Sequence, residues 1–359
     1  MVKLTRATGI IAAVAVAMTV SACTTAAPKA SSNTGGGAST AKIAFLMPDH
    51  GSTRYESFDR PLFTAKIKEL CPGCTVIYAN ADTDAAKQQQ QANSALAQGI
   101  KVLVIDPVDT TAAESIVAAA HAQGVKVVSY DRPIPGAKPD YYVSFDNEKI
   151  GSLIAQSLVD HLKTTNAKGG VIQINGSPTD AAAGLIKKGV HSALDPSGFK
   201  ILAEYDTPDW KPSNAQTWAA GQVTKFGKQL VGISAANDGT AGGAIAAIKA
   251  AGIKPVPPVT GNDAELAAAQ RIVSGDQYNT ISKPIKIVAE ASAEIAWQFA
   301  QGQTPAGKTT LFGAPSQLFI PTVVTIDNLK ETLVTSGIMK ASEICTPDYQ
   351  AACTKAGIN

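Results

Sequence analysis

The sequence has few charged residues and almost no net charge. Only 17% of its 359 residues are Asp, Glu, Lys or Arg, and the formal net charge is +2. Proteins that bind nucleic acid or anionic membranes through electrostatics concentrate basic residues on one surface. The composition therefore argues against a nucleic-acid partner and against membrane binding through charge.

Histidine is scarce as well. The four histidines lie at positions 50, 121, 161 and 191, mostly on predicted helices, with no metal-ligand spacing and no nucleophile as partner. Asp131 and Asp263 could be imagined as a carboxylate pair for glycoside cleavage, but the sequence indicates nothing that would raise the pKa of either. We therefore expect no catalytic residue, no metal site and no cofactor, and an enzyme is a minor alternative.

Cysteine is limited to five residues, four of which form two local pairs. Outside the cytoplasm such pairs are typical of disulfides, which predicts bonds Cys71–Cys74 and Cys345–Cys353. A redox or zinc motif is the alternative for the first pair. However, it ends a helical pattern instead of opening one, and no His or second Cys pair lies near it in sequence.

A hydrophobic run at the start of the chain is too short for a comfortable membrane span. It covers residues 7–20, follows Lys3 and Arg6, and leads into Val-Ser-Ala-Cys ending at Cys23. This pattern is typical of a bacterial lipoprotein signal, in which the Cys23 thiol is lipidated and becomes the new N-terminus. We expect residues 1–23 to be the signal and the protein to be exported and held by lipid on the outer face of the cytoplasmic membrane. An ordinary secretory signal or an uncleaved anchor is the alternative.

Residues 24–40 are small and polar, with Ser, Asn, Gly and Thr throughout 31–40. Such a segment cannot bury apolar surface, which predicts a flexible tether before a fold that begins near Ala41.

From Lys42 onward, short apolar β-branched runs alternate with stretches of helical periodicity. This rhythm is typical of βαβ units with parallel sheets, and it restarts after Asp146, so we predict an α/β protein of two similar doubly wound lobes. After this restart the pattern predicts a helix at 212–226, a strand at 230–235 and a strand that ends at Gly261. The chain then returns with a helix at 285–301, a strand at 317–325 and a short helix at 328–337. This return of the chain indicates several crossings between the lobes and not a single linker.

Polar and aromatic residues follow nearly every predicted strand, at the sheet edge where open parallel sheets bind ligands. Asp and Asn at such positions are often helix N-caps, but Arg54, Arg132, Trp210 and Lys283 are not capping residues. Carboxylates, amides and guanidinium groups match sugar hydroxyls, and aromatic rings match the apolar face of a sugar. The strand-end residues are Asp49, Arg54, Tyr55, Asp106, Asp131, Arg132, Asp146, Asn147, Asn175, Ser177, Asp180, Asp209, Trp210, Asn237, Asp238, Asn262, Asp263 and Lys283.

Several motifs carry a family resemblance when taken in order. They are Tyr130-Asp131-Arg132, Ser144 to Glu148, Gly176-Ser177-Pro178, Trp210 with Pro212 and Asn214, Asn237-Asp238 with Ala241-Gly242-Gly243, Gly261 to Ala264, and Lys283-Pro284. From Lys42 to about Ser342 the chain resembles the periplasmic sugar-binding proteins of ABC importers, most closely the D-xylose-binding branch.

The resemblance implies the type I periplasmic binding fold, in which three crossovers join two lobes that close on a sugar by hinge motion. It implies an N-terminal lobe of 41–146 plus 284–318 and a C-terminal lobe of 147–283 plus 319–359, with Asp146 and Pro284 at the hinge. The partners it implies are a monosaccharide, an ABC permease and its ATPase, and we expect a monomer. The sugar-binding positions it implies are Arg54, Tyr55, Asp131, Arg132, Asp180, Trp210, Asn237, Asp263 and Lys283.

The chain departs from the xylose branch in two places. Tyr55 stands where that branch often has Trp, and Ala181 and Ala182 follow Asp180 where the branch has two Asn residues. Losing an amide that binds the ligand changes affinity by roughly 1–3 kcal/mol if the facing hydroxyl stays unpaired. The sugar can therefore be xylose, another pentose, an aldohexose or a larger glycoside.

One sequence motif is misleading. Residues 302–309 match a phosphate-binding loop letter for letter, but they follow a helix and contain Pro305, so we expect a surface loop.

A second function stays open as an alternative. A sugar sensor that docks on a membrane signalling receptor would have the same binding site as a transport protein.

Overall fold

Parallel strands flanked by helices make up most of the computed structural model, which describes residues 40–358. The first lobe contains a seven-stranded sheet. Its strands are β1 Lys42–Met47, β2 Thr75–Asn80, β3 Val102–Ile105, β4 Lys126–Tyr130, β5 Tyr141–Phe145, β10 Thr309–Leu311 and β11 Ala314–Phe319. They lie in the order β10-β11-β5-β4-β3-β1-β2, and all neighbouring strands are parallel except the hairpin β10–β11.

Both faces of this sheet are covered by helices. Alternate residues of β1 and β3 enter different apolar clusters: Phe45 and Val104 face one, while Leu46 and Leu103 face the other. Burial of both faces explains why these strands are apolar throughout. The helices of this lobe are α1 Arg60–Leu70, α2 Ala85–Ala97, α3 Ala113–Ala122 and α9 Ile285–Ala300.

The second lobe repeats the pattern around a smaller sheet. Its strands β7 Lys200–Asp206, β6 Gly170–Asn175 and β8 Leu230–Ala235 are parallel in that order, and β9 Asn279–Ser282 pairs antiparallel with β12 Thr322–Thr325. The flanking helices are α4 Asn147–Thr164, α5 Ala181–Leu194, α6 Pro212–Phe226, α7 Asp238–Ala250 and α8 Leu266–Ser274. The prediction of a two-lobed α/β fold is thus confirmed, and the structure adds the antiparallel pairs.

Three local predictions need correction. The strand predicted to end at Gly261 is reduced to one isolated bridge between Val259 and Ile233, because prolines at 255, 257 and 258 supply no amide hydrogens. The single strand predicted at 317–325 is two strands, β11 and β12, which lie in different sheets and are separated at Pro321. The helix predicted at 328–337 is a π-helical turn, Lys330–Thr335.

The last part of the chain folds onto the second lobe as two short helices, α10 Ala341–Ile344 and α11 Gln350–Lys355. The structure bonds Cys345 to Cys353 between them and, in the first lobe, Cys71 to Cys74 after α1. Ile344, Cys353 and Ile358 enter a buried apolar cluster with Leu329 and Leu333. The tail is therefore cross-linked within itself by the disulfide, and it packs on the second lobe through apolar side chains.

The phosphate-loop lookalike at 302–309 runs from the end of α9 into β10 and opens no helix. It has the geometry of a connecting loop. Among the helices of residues 40–358, none has the length and apolar character needed to cross a bilayer. The predicted signal, the Cys23 lipidation site and nearly all of the predicted tether lie outside the described residues.

Candidate functional site

A cavity of about 310 Å³ lies between the two lobes, at the carboxyl ends of their parallel strands. Residues of both lobes line it, which is the geometry of a cleft that closes on a ligand. All nine residues predicted to bind ligand are among its lining: Arg54, Tyr55, Asp131 and Arg132 from the first lobe, and Asp180, Trp210, Asn237, Asp263 and Lys283 from the second.

Arg54 is fixed by two carboxylates. Its Nε and Nη2 donate to Asp59 at 3.1 and 2.8 Å, and its Nη1 donates to Asp131 at 3.1 Å. Asp59 also accepts a hydrogen bond from the Tyr130 hydroxyl. The fully buried Asp59 therefore holds the guanidinium in place from behind, while Asp131 lies on the cavity side.

Asp131 is ionised despite its burial. Burial alone would raise the pKa of Asp131, but the nearby Arg54, Lys283 and Arg132 lower it to about 2. The residue has a φ of 58°, and its carbonyl accepts from the Tyr142 and Ser144 hydroxyls. A charged acceptor is thereby held rigidly at the end of β4.

Arg132 connects the two lobes. Its Nε lies 3.1 Å from the Oδ2 of Asp180 in the second lobe, and its Nη2 lies 3.5 Å from Asp49. Its Nη1 donates to the carbonyl of Pro107. Asp106 lies 3.5 Å from the same guanidinium but does not line the cavity, and burial raises the pKa of its carboxyl well above the usual range.

Trp210 forms an aromatic wall. Its indole Nε1 donates to Asp180 at 3.0 Å, and its ring lies so close to Gly176 that a β-carbon there would come within 2.0 Å of it. Asp209 and Trp210 both have left-handed backbone angles, with φ values of 54° and 56°. The loop after β7 is therefore bent to bring the ring into the cavity. Tyr55, the other predicted aromatic, has the Arg54 guanidinium over its ring at 5.2 Å.

The remaining residues of the second lobe combine structural and ligand-facing roles. The side chain of Asn237 caps α7 by accepting from the amide and hydroxyl of Thr240, both at 2.8 Å, so its amide nitrogen stays available. The Oδ1 of Asp180 caps α5 through the amide of Ala182 at 2.7 Å, while its Oδ2 takes the bonds from Trp210 and Arg132. The same side chains thus cap helices and line the cavity, and ligand binding by them stays a prediction.

Lys283 forms an ion pair with Asp263 at 2.8 Å. Burial alone would lower the pKa of Lys283, but Asp263 and Asp131 outweigh it and raise the pKa. Asp263 does not cap the next helix; the residue at that position is Glu265.

Several lining residues were missed by the sequence interpretation. Ser52, Ile186 and Glu265 all line the cavity. Glu265 follows the Gly261–Ala264 motif closely enough that its position could have suggested it. Ile186 could not be found in this way, because it lies inside α5 and not at a strand end.

The predicted hinge residues lie where the chain passes between the lobes. The Asp146 amide donates to the carbonyl of Phe319 at 2.9 Å, its side chain caps α4, and Ser282 pairs with Thr322. Pro284 directly precedes α9. The crossovers after β5, β9 and β11 therefore run side by side.

The profile of the periplasmic binding protein domain matches residues 43–304. The chain belongs to this family. Among curated relatives, the D-xylose-binding periplasmic protein of Escherichia coli is 35% identical over 311 residues, covering 84% of this chain and 92% of the relative. A multiple sugar-binding periplasmic receptor of Rhizobium radiobacter is 28% identical, with the same two coverages.

Solved structures of solute-binding proteins have the same fold as this chain. An ABC transporter solute-binding protein of Clostridium phytofermentans with bound β-D-glucose has a TM-score of 0.77 and 25% identity, covering 84% of this chain and 99% of its own. A carbohydrate transporter solute-binding protein of Chloroflexus aurantiacus, in complex with D-glucose, has a TM-score of 0.76 and 28% identity, covering 85% and 98%. These relatives are binding proteins of transport systems, which confirms the prediction that the chain is not an enzyme.

Proposed function

We propose that this periplasmic binding protein is an extracytoplasmic solute-binding lipoprotein that captures a monosaccharide between its two lobes and delivers it to the permease and ATPase of an ABC importer. The observation that carries the proposal is the interlobe cavity, in which several carboxylates, two guanidinium groups and an indole ring converge. Relatives named for D-xylose and structures holding glucose support it.

The chemistry of the cavity suits a sugar. Each sugar hydroxyl donates and accepts a hydrogen bond, so it needs acceptors such as Asp131 beside donors such as Arg54. The Trp210 ring supplies a flat apolar wall for the C–H face of a pyranose. The ligand class we propose is a xylose-like pentose or a related aldose, because the relatives bind such sugars by name while Ala182 lines the cavity where the xylose branch has an amide.

Binding follows from a population shift between open and closed lobes. In the structure the lobes touch through Arg132–Asp180 and through the amide and hydroxyl of Thr110, which both donate to the carbonyl of Thr179. A ligand that bonds to both lobes adds to these contacts only in the closed form, and so increases its population.

A thermal-shift screen of the full chain against pentoses, hexoses and disaccharides tests the function. A ligand that binds only the folded protein raises the melting temperature, by an amount that grows with its concentration relative to Kd. We expect one or two sugars to give a shift and Trp210→Ala to abolish it. Trp218→Phe is the control, since Trp218 stacks on Tyr205 and does not line the cavity. Absence of a shift with every sugar would refute the function.

The lipid anchor at Cys23, the monomeric state and the lobe boundaries at 146/147, 283/284 and 318/319 stay predictions. Mass spectrometry of the protein isolated from membranes would show the added lipid on Cys23. A role in sensing is the second candidate, favoured by the Rhizobium radiobacter relative that is named a receptor.

A further inference from the structure

The charged groups that line the cavity pair off almost completely. Each of its four cations lies within 3.1 Å of a carboxylate: Arg54 with Asp131, Arg132 with Asp180, Lys211 with Asp209, and Lys283 with Asp263. Asp49 lies 3.5 Å from Arg132. Within the described residues, two lining carboxylates form no ion pair, Asp82 and Glu265, and Asp82 is exposed to solvent.

The side chain of Glu265 is not required by the fold around it. It directly precedes α8, but its side chain forms no capping hydrogen bond there. Its carboxylate accepts one bond at 3.4 Å, from the hydroxyl of Ser52 in the opposite lobe. Its main-chain amide donates to Asp238 and holds the residue at the cavity wall.

The surroundings of Glu265 are acidic. Burial and the neighbouring Asp263 raise the pKa of Glu265 to about 7, and burial and Glu265 in turn raise the pKa of Asp238. Arg271 and Arg54 lower the pKa of Glu265 only from a distance. Arg271 is bonded to Gln277 and to the Asp238 carbonyl, and Arg54 is bonded to Asp59 and Asp131. The region facing Glu265 is thus one where a positive charge is favoured.

We propose that Glu265 determines which sugars the cavity prefers, and that it favours monosaccharides carrying a protonated amine at the position that faces it. The inference rests on the proposed sugar-binding function and specifies its ligand class. A neutral hydroxyl can donate one hydrogen bond to Glu265 and leaves its charge uncompensated. An ammonium group at the same position donates a charge-assisted bond and neutralises the half-buried carboxylate.

Isothermal titration calorimetry of the full-length protein tests this with matched ligands. D-glucose and D-xylose are compared with glucosamine and with the isomers of glucosamine that carry the amine at the other carbons. We expect one amino isomer to bind about tenfold more tightly than glucose, the difference between a charged and a neutral hydrogen bond. Titration near pH 6 in buffers of different ionisation enthalpy should also show proton release, because the ammonium group displaces the proton from Glu265.

Two variants separate a local from a general charge effect. Glu265→Gln should bind the neutral sugars and lose the preference for the amino isomer. Glu331→Gln removes an equal charge from an exposed position outside the cavity and should keep the preference.

The inference is overturned if every amino isomer binds no better than its neutral parent, or if Glu265→Gln retains the preference. In both cases neutral sugars still bind, and the proposed function stands. If no neutral or amino sugar binds, the proposed function itself fails.

Discussion

Trp210 owes its orientation to Gly176, a residue without a side chain. The indole ring occupies the space where any β-carbon at this position would lie. Gly176→Ala should therefore push the ring out of place and weaken binding of every ring sugar by about tenfold or more, since the ring loses its stacking position and its bond to Asp180. Calorimetric Kd values measure the effect.

Gly221→Ala is the control for this variant, because Gly221 is exposed on α6 with nothing near its missing side chain. Equal affinities for Gly176→Ala and the parent protein would show that the ring position is set elsewhere.

Glu265 should make the stability of the ligand-free protein fall as the pH rises. Its pKa is about 7 in the folded protein against an ordinary value of 4.5, so the native state holds more protons than the unfolded state between these values. The free energy of unfolding should drop by up to ~3 kcal/mol over this interval and then level off. Urea unfolding near pH 5 and pH 8 measures it, and Glu265→Gln should reduce the difference without removing it, because the pKa values of Asp106 and Asp238 are raised as well. An unchanged pH profile in the variant would contradict the assignment.

At this scale the sequence predicted which residues line the cavity where they follow the carboxyl ends of strands, and ligand contact by these residues stays a prediction. All nine expected residues reach the cavity, because parallel strands bring their carboxyl ends to one edge. Asp59, Ser52 and Ile186 were missed since they act from a helix or a loop, and their roles depend on which elements pack together. That information lies in contacts between distant parts of the chain.

Helices α4 and α5 touch through their backbones. A β-carbon on Gly189 would lie 2.0 Å from the carbonyl oxygen of Glu148, and one on Gly151 would lie 1.9 Å from that of Ile186. Gly189→Ala should therefore force the helices apart and lower the free energy of unfolding by about 1–3 kcal/mol. Gly184→Ala on the same helix meets no atom and should raise it by about 0.4–1 kcal/mol. Chemical denaturation of both variants tests the pair, and the same sign for both would rule out the packing argument.

The disulfide Cys345–Cys353 should stabilise the tail more than the rest of the molecule. It closes a short loop, worth about 2–3 kcal/mol in chain-entropy terms, at a segment that otherwise rests on a small apolar cluster. Replacing both cysteines with serine should remove hydrogen-exchange protection from residues 341–358 and leave the first lobe unchanged. The double Cys71/Cys74 serine variant provides the comparison, and it should leave the tail protected.

Element boundaries were predicted closely where periodicity was strong, as in α6 and β8, whose bounds match the expected ones. The prediction of a single strand was wrong where one apolar run contributes strands to two sheets. Residues 317–325 read as a single strand, yet the chain leaves one lobe and enters the other at Pro321. Local pattern shows that a segment is extended, but it does not show which sheet receives it.

For the molecule as a whole, Asp180 joins the cavity lining to the contact between the lobes, because its carboxylate meets Arg132 across the cleft. Asp180→Asn removes the charge of this pair and should shift the ligand-free population toward the open form. A change of about 1.4 kcal/mol would alter the ratio of closed to open molecules tenfold. Small-angle scattering should then give a larger radius of gyration for the free variant than for the free parent protein. Equal radii would show that other contacts hold the lobes together.

The pairing of β11 with β5 brings together residues far apart in the sequence, Phe319 and Phe145, inside one sheet. The sheet of the first lobe therefore cannot be completed until nearly the whole chain has been synthesised. Before β11 is present, β5 has an unpaired edge. In the same way, β9 has no partner strand until β12 has been synthesised. A polypeptide interrupted before residue 314 would present two open sheet edges, the form in which strands add to other chains. The architecture in which the chain crosses between the lobes thus also makes residues 314–325 the segment that completes the sheets of both.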